Sequence, residues 1–90
     1  TATTLKISGV ALFSAGEFSH AEADKLYYRD PSRGTYKKLC VLGGRLVGAV
    51  LYGDTQDGGW YFDLIREGRD VTHLRDQLLF GAGGEDVAAA

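Results

Sequence analysis

The sequence predicts an α+β domain: an antiparallel β-sheet of three to five strands with two C-terminal helices packed on one face. Three observations predict it. Gly43-Gly44 separates two apolar runs, residues 36–42 and 46–52, as a two-residue hairpin loop does when it needs positive φ. Residues 25–29 alternate and carry Tyr27 and Tyr28, a pattern that suits a pleated strand. Beyond the glycine-and-aspartate turn at residues 53–59, the apolar spacing changes. Trp60 and Leu64, and Tyr61 and Ile65, stand four apart, which is helical. The 13 glycines also favour hairpins, since an all-helical chain tolerates them badly.

Taken in order, residues 5–8 read as a short strand with Leu5 and Ile7 on one face. Residues 10–13 read as a second, ended by Ser14-Ala15-Gly16. Residues 17–22 are polar and read as a loop, and residues 25–29 as the third strand. Asp30-Pro31-Ser32-Arg33-Gly34 is a turn: proline presets φ, Asp30 and Ser32 bond nearby backbone, and Gly34 takes positive φ. The Gly43-Gly44 loop sets the register of the next hairpin, pairing Leu42 with Arg45 and Val41 with Leu46. Unbroken, it pairs Cys40 with Val47, Leu39 with Gly48, Lys38 with Ala49, Lys37 with Val50 and Tyr36 with Leu51. One face then collects Leu39, Val41, Leu46, Gly48, Val50 and Tyr52. It is assigned to the core, with Lys37 at its end snorkelling outward. The other face holds Tyr36, Lys38, Cys40, Val47, Ala49 and Leu51, and is half apolar. A strand apolar on both sides is usually covered on both sides. The N-terminal strands or a neighbouring domain must therefore cover it.

Two helices are expected next. Asp57 is placed to cap the first and Gly68 to close it. Asp70 or Thr72 caps the second, whose apolar stripe is Val71, Leu74 and Leu78 with Leu79 adjacent; Gly81 ends it. Gly48 offers a helix a close approach to the sheet. Residues 82–90 lack apolar periodicity and read as a flexible tail or linker. Residues 1–81 then make one small domain, and the cut-edge look of Thr1-Ala2-Thr3-Thr4 suggests a fragment of a longer chain.

Composition narrows the function classes. Apolar residues make up 44% of the 90 and charged residues 24%, ordinary for a folded chain with a thin core. The net charge is −2 with scattered basic residues, which argues against nucleic acid. No apolar run approaches the ~20 residues that span a bilayer. The single cysteine, Cys40, excludes an intrachain disulfide and fits a reducing cytoplasm.

Candidate chemistry is sparse. The turn at residues 53–59 joins strand to helix, where phosphates meet free N–H groups. It carries no phosphate-binding glycine pattern, and Asp54 and Asp57 would repel an anion. Residues 10–17, VALFSAGE, resemble a flavin fingerprint in which a terminal acid holds the ribityl chain. That makes Glu17 a weak cofactor-binding candidate, against a plain strand-end turn. His20 and His73 each lack a second metal ligand at useful spacing, and Cys40 lacks a motif around it, so no metal or catalytic residue is assigned. Asp63, Arg66, Glu67, Arg69 and Asp70 read as solvated helix charges. Trp60, Tyr61 and Phe62 project ~100° apart on a helix, so one of them, Tyr61 or Phe62, is expected to face outward.

The strongest pieces, YKKL at 36–39, LVGAVLYGDT at 46–55, WYFDLI at 60–65 and LRD at 74–76, together resemble a known domain. It is the small domain that closes the flavoprotein half of assimilatory NAD(P)H nitrite reductase large subunits. FAD-dependent oxidoreductases of the NADH–rubredoxin reductase type carry a similar one. The likeness runs over about residues 5–81. It implies a parent enzyme that passes electrons from NAD(P)H through FAD and iron–sulfur clusters to siroheme, reducing nitrite to ammonium. It also implies that the flavin fingerprint proper lies upstream, so that the FSAG segment at 13–16 belongs to this domain. The chain carries neither dinucleotide motif nor cluster cysteines, so no catalytic residue or cofactor is expected within it. Its implied role is packing, positioning or docking, against upstream FAD/NAD(P)H-binding domains and a downstream or separate iron–sulfur acceptor, with a homo-oligomer also allowed. Three readings stay open: such an interface domain, the same domain in a stand-alone reductase that docks rubredoxin or ferredoxin, and an independent small-ligand module. The expected interdomain contacts are Tyr36, Cys40, Val47 and Leu51, with Tyr61 or Phe62 contributing.

Overall fold

The computed structural model describes residues 2–17, 21–74 and 77–80. Five strands form one antiparallel sheet in the order β1-β2-β5-β4-β3. They are β1 (Ala2–Ile7), β2 (Val10–Gly16), β3 (Asp24–Asp30), β4 (Thr35–Leu42) and β5 (Arg45–Tyr52). Every predicted strand is present, most of them longer at one end or both than the apolar runs implied. Gly43 and Gly44, at φ 60° and 77°, close the β4–β5 hairpin with two successive positive φ values. The β1–β2 hairpin repeats that geometry with Ser8 and Gly9, at 52° and 82°. The β2–β3 connection returns β3 to the far edge, so β5 lies between β2 and β4.

The expected β4–β5 register holds for two pairs and then shifts. Val41 faces Leu46, but Cys40 faces Gly48, so Val47 is an extra residue on β5. A bulge of this kind leaves one residue unpaired and reverses the faces beyond it. Leu39 therefore pairs with Ala49 and Lys37 with Leu51, while Tyr36 pairs with Tyr52. This corrects the face assignment of half of β5. Ala49 and Leu51 join the core face; Gly48, Val50 and Tyr52 leave it.

One helix, α1 (Gly58–Glu67), packs on the core face against β5 and β2. It presents Tyr61 and Leu64 to Phe13, Ala15, Leu39, Ala49 and Leu51, all buried in one cluster. Each fully buried leucine contributes roughly 1.5–3 kcal/mol. The close approach occurs at Gly58 rather than Gly48: a Cβ there would lie 2.9 Å from the Phe13 ring. Asp57 holds the N-cap position without a side-chain hydrogen bond, whereas Gly68 ends the helix in the left-handed conformation as expected, at φ 64°.

The second helix is replaced by two 3₁₀ turns, Thr72–Leu74 and Leu78–Phe80. The backbone before them is tied to the sheet: Asp70 bridges Arg45, and the Val71 N–H donates to the Gly44 carbonyl at 2.7 Å. With no second helix to cap, Asp70 Oδ1 instead accepts the Thr72 N–H at 2.8 Å at the start of the first 3₁₀ turn. The Thr72 hydroxyl and N–H hold the Asp70 carboxyl below the usual carboxylate range. Tethered there, the chain lays Val71, Leu74 and Leu78 into the core in short turns. The expected tail, 82–90, lies outside the described residues.

Candidate functional site

Two surface features have enough chemistry to be considered. The first is a cleft of about 170 Å³ at one end of the sheet, lined by Tyr28, Arg33, Lys37, Asp54, Asp57 and Phe80 among others. Register places Lys37 on the core face of β4, next to Leu51. Its stem follows apolar surface and its Nζ emerges at the cleft, the snorkelling expected of it. Nζ donates to the Leu79 carbonyl at 2.7 Å and to the Tyr61 hydroxyl at 3.1 Å. The Tyr61 hydroxyl in turn donates to the Leu78 carbonyl. Nζ also lies 5.2 Å from the Tyr61 ring centroid and 5.9 Å from that of Tyr28. Burial pushes the Lys37 ammonium below its ordinary pKa, against the opposing pull of Asp57 and Asp54. These bonds tie β4, α1 and the last 3₁₀ turn together. The arrangement suits a structural strut better than a reaction centre, because the ammonium is already held by acceptors of the fold.

The second feature is the sheet face opposite α1. Pairing across all five strands aligns two rows there. One runs Leu5, Leu12, Tyr52, Tyr36, Arg29, and the other Thr3, Ser14, Val50, Lys38, Tyr27. Leu5 is 51% exposed, Tyr27 55% and Tyr52 42%. Tyr27 and Tyr36 sit with ring centroids 6.4 Å apart, and the Arg29 guanidinium lies 5.9 Å from the Tyr36 ring. No helix among the described residues packs on this face.

The sequence-predicted residues divide between the two faces. Tyr36 lies half-buried in the middle of the open face. Val47 is half-buried at the bulge, where its carbonyl accepts the Glu17 N–H at 2.7 Å. Glu17 itself is exposed, and its backbone extends the β2–β5 seam, a strand-end role. Cys40 is fully buried, away from solvent despite its register on the open side. Leu51 beneath α1 and Tyr61 on the buried side of α1 are both fully buried, with no surface to offer a partner. Phe62 is half-buried and packs against the core edge. The structure thus keeps Tyr36 and Val47 accessible and removes Cys40, Leu51 and Tyr61. Sequence reasoning missed Leu5, Leu12, Tyr27, Val50 and Tyr52. Exposed tyrosines on β3 and at the end of β5 were a usable signal, but their common face depends on the bulge. Among the described residues, no three His, Cys, Asp or Glu side chains are grouped to hold a metal, and no helix is long and apolar enough to cross a membrane.

Residues 2–69 match the family model of the rubredoxin NAD+ reductase C-terminal domain. The chain is 42% identical to a nitrite reductase (NAD(P)H) of Bacillus subtilis strain 168, over 98% of its own length and 12% of that protein's. It is 33% identical to an assimilatory nitrate reductase electron transfer subunit of the same organism, over 83% of its length and 10% of that protein's. It therefore spans about a tenth of the curated relatives it matches. No solved structure matches it significantly. With residues 2–69, more than half its length, matched by that model, the chain belongs to the rubredoxin NAD+ reductase C-terminal domain family.

Proposed function

We propose that this chain is a non-catalytic docking domain of an NAD(P)H- and FAD-dependent nitrite reductase large subunit, acting in nitrate assimilation in the cytoplasm. The observation that carries the reading is the sheet face opposite α1, which exposes Leu5, Tyr27 and Tyr52 although its Cys40 end is buried. Relatives named as a nitrite reductase and an electron transfer subunit support the redox setting. The FAD, nicotinamide, iron–sulfur and siroheme chemistry belongs to the parent protein, with the domain holding the flavoprotein body in position. The contact surface centres on Tyr36, Tyr52 and Val50, with Val47 at its margin.

The family's own description favours a second reading, in which the same face serves a stand-alone FAD-dependent oxidoreductase that docks rubredoxin or ferredoxin. In both, the test is Tyr52→Asp in the intact parent protein. A charge in the middle of the contact should release the domain, raising its susceptibility to limited proteolysis and lowering NAD(P)H-driven turnover. Unchanged proteolysis and turnover would remove the docking role.

A further inference from the structure

The open face is not only aromatic; its charge is of one sign. Register places Lys25, Arg29 and Lys38 on it, among Tyr27, Tyr36 and Tyr52. None of the described strand positions that share this face is acidic, although the chain as a whole carries 12 acidic residues against 10 basic ones. The carboxylates gather elsewhere. Asp54 and Asp57 act on Lys37 from the helix side, and Asp63 and Glu67 ride on α1. Such separation in a net-negative chain leaves a basic, tyrosine-rich surface with a definite complement. Tyrosine suits it, offering an apolar body and a hydroxyl that tolerates partial hydration.

We infer that this face docks an acidic surface belonging to a neighbouring domain of the same parent polypeptide. The inference rests on the docking reading above and adds the chemistry of the partner. A partner in the same chain is favoured because the matched relatives have about nine-tenths of their length outside this domain. A tethered neighbour meets the face at high effective concentration, so a modest electrostatic contact suffices. Arg29 and Lys38 supply the attraction and orientation, while Tyr36 and Tyr52 supply the buried contact.

Hydroxyl-radical footprinting of the intact parent protein tests this. Salt is raised from about 0.01 M to about 1 M, which shortens the Debye length from about 30 Å to about 3 Å. Tyr27 and Tyr52 should be protected at low salt, and their labelling should rise at least about fivefold at high salt. The Arg29→Glu/Lys38→Glu variant should show that rise already at low salt. Tyr61, on the buried side of α1, reports an intact fold throughout. The salt series needs no variant, so it decides even if the double substitution fails to fold. Protection that ignores both salt and charge reversal would overturn the acidic partner while leaving docking itself in place. Free labelling of both tyrosines at low salt would overturn docking as well. Protection that appears only at high protein concentration, or only on adding a separate acidic carrier protein, would overturn the tethered partner in favour of a second copy or that carrier.

Discussion

Tyr61 and Lys37 share one polar hub at the rim of the core. The Tyr61 hydroxyl accepts from Lys37 Nζ and donates to the Leu78 carbonyl, so Tyr61→Phe removes both bonds, leaving Lys37 Nζ only the Leu79 carbonyl of its two acceptors. It should cost about 1–3 kcal/mol, read by urea denaturation. A cost below about 0.5 kcal/mol would mean that water replaces the hydroxyl freely. Lys37 has a pH signature of definite sign. Burial lowers its folded-state pKa, so the unfolded chain binds more protons between that lowered value and the ordinary lysine range. Stability should therefore rise with pH across that window in the native protein relative to Lys37→Met, and a flat difference would refute the burial effect. Asp70 runs the opposite way. Its carboxyl, lowered by Thr72, adds stability that is present above the unfolded pKa and lost as pH falls through the folded one. The outward path of Lys37 was legible in the sequence, because a lysine at the end of an apolar strand face must lead its charge out of the core, but the Tyr61 and Leu79 acceptors that hold the ammonium half-buried were not. The burial of Tyr61 was not. Three consecutive aromatics leave the rotational phase of the helix undetermined until the helix lands on a particular sheet.

At the scale of elements, the bulge at Val47 decides which half of β5 supports the core. Leu51→Ala should cost about 2–5 kcal/mol, while Tyr52→Ala should stay within about 1 kcal/mol. The unbroken register predicts the reverse order, so the pair of denaturation midpoints separates the two. Gly58→Ala should cost about 1–3 kcal/mol, because the added methyl meets the Phe13 ring where α1 crosses β2. The five strands were legible because alternation, aromatic content and glycine turns agree along the sequence. The bulge was not, since an extra residue leaves no mark in a run as uniformly apolar as LVGAVL. The second helix was misread for a similar reason. Val71, Leu74 and Leu78 have helical spacing, but the three-residue step from Val71 to Leu74 suits a 3₁₀ turn equally, so the pattern did not choose between them.

For the molecule as a whole, one face of the sheet is sealed by α1 and the 3₁₀ turns, and the other exposes Leu5, Tyr27 and Tyr52 while burying Cys40. That asymmetry is what a domain needs if it is folded by one surface and used by the other. The hairpin alone predicted a second apolar face, but two of the residues behind that expectation, Ala49 and Leu51, belong to the core instead. The β4 side of that face, Tyr36, Lys38 and Cys40, was legible, with Val47 at the bulge; the β5 side was not, because the bulge turns Ala49 and Leu51 away and brings Val50 and Tyr52 in. The most direct measurement is photo-crosslinking in the intact parent protein, with a photoreactive amino acid placed at Tyr52 on the open face or at Asp63 on the exposed side of α1. Crosslinks from position 52 to a distant part of the same polypeptide, with none from position 63, are the predicted result. Crosslinks from position 63 and none from position 52 would contradict it.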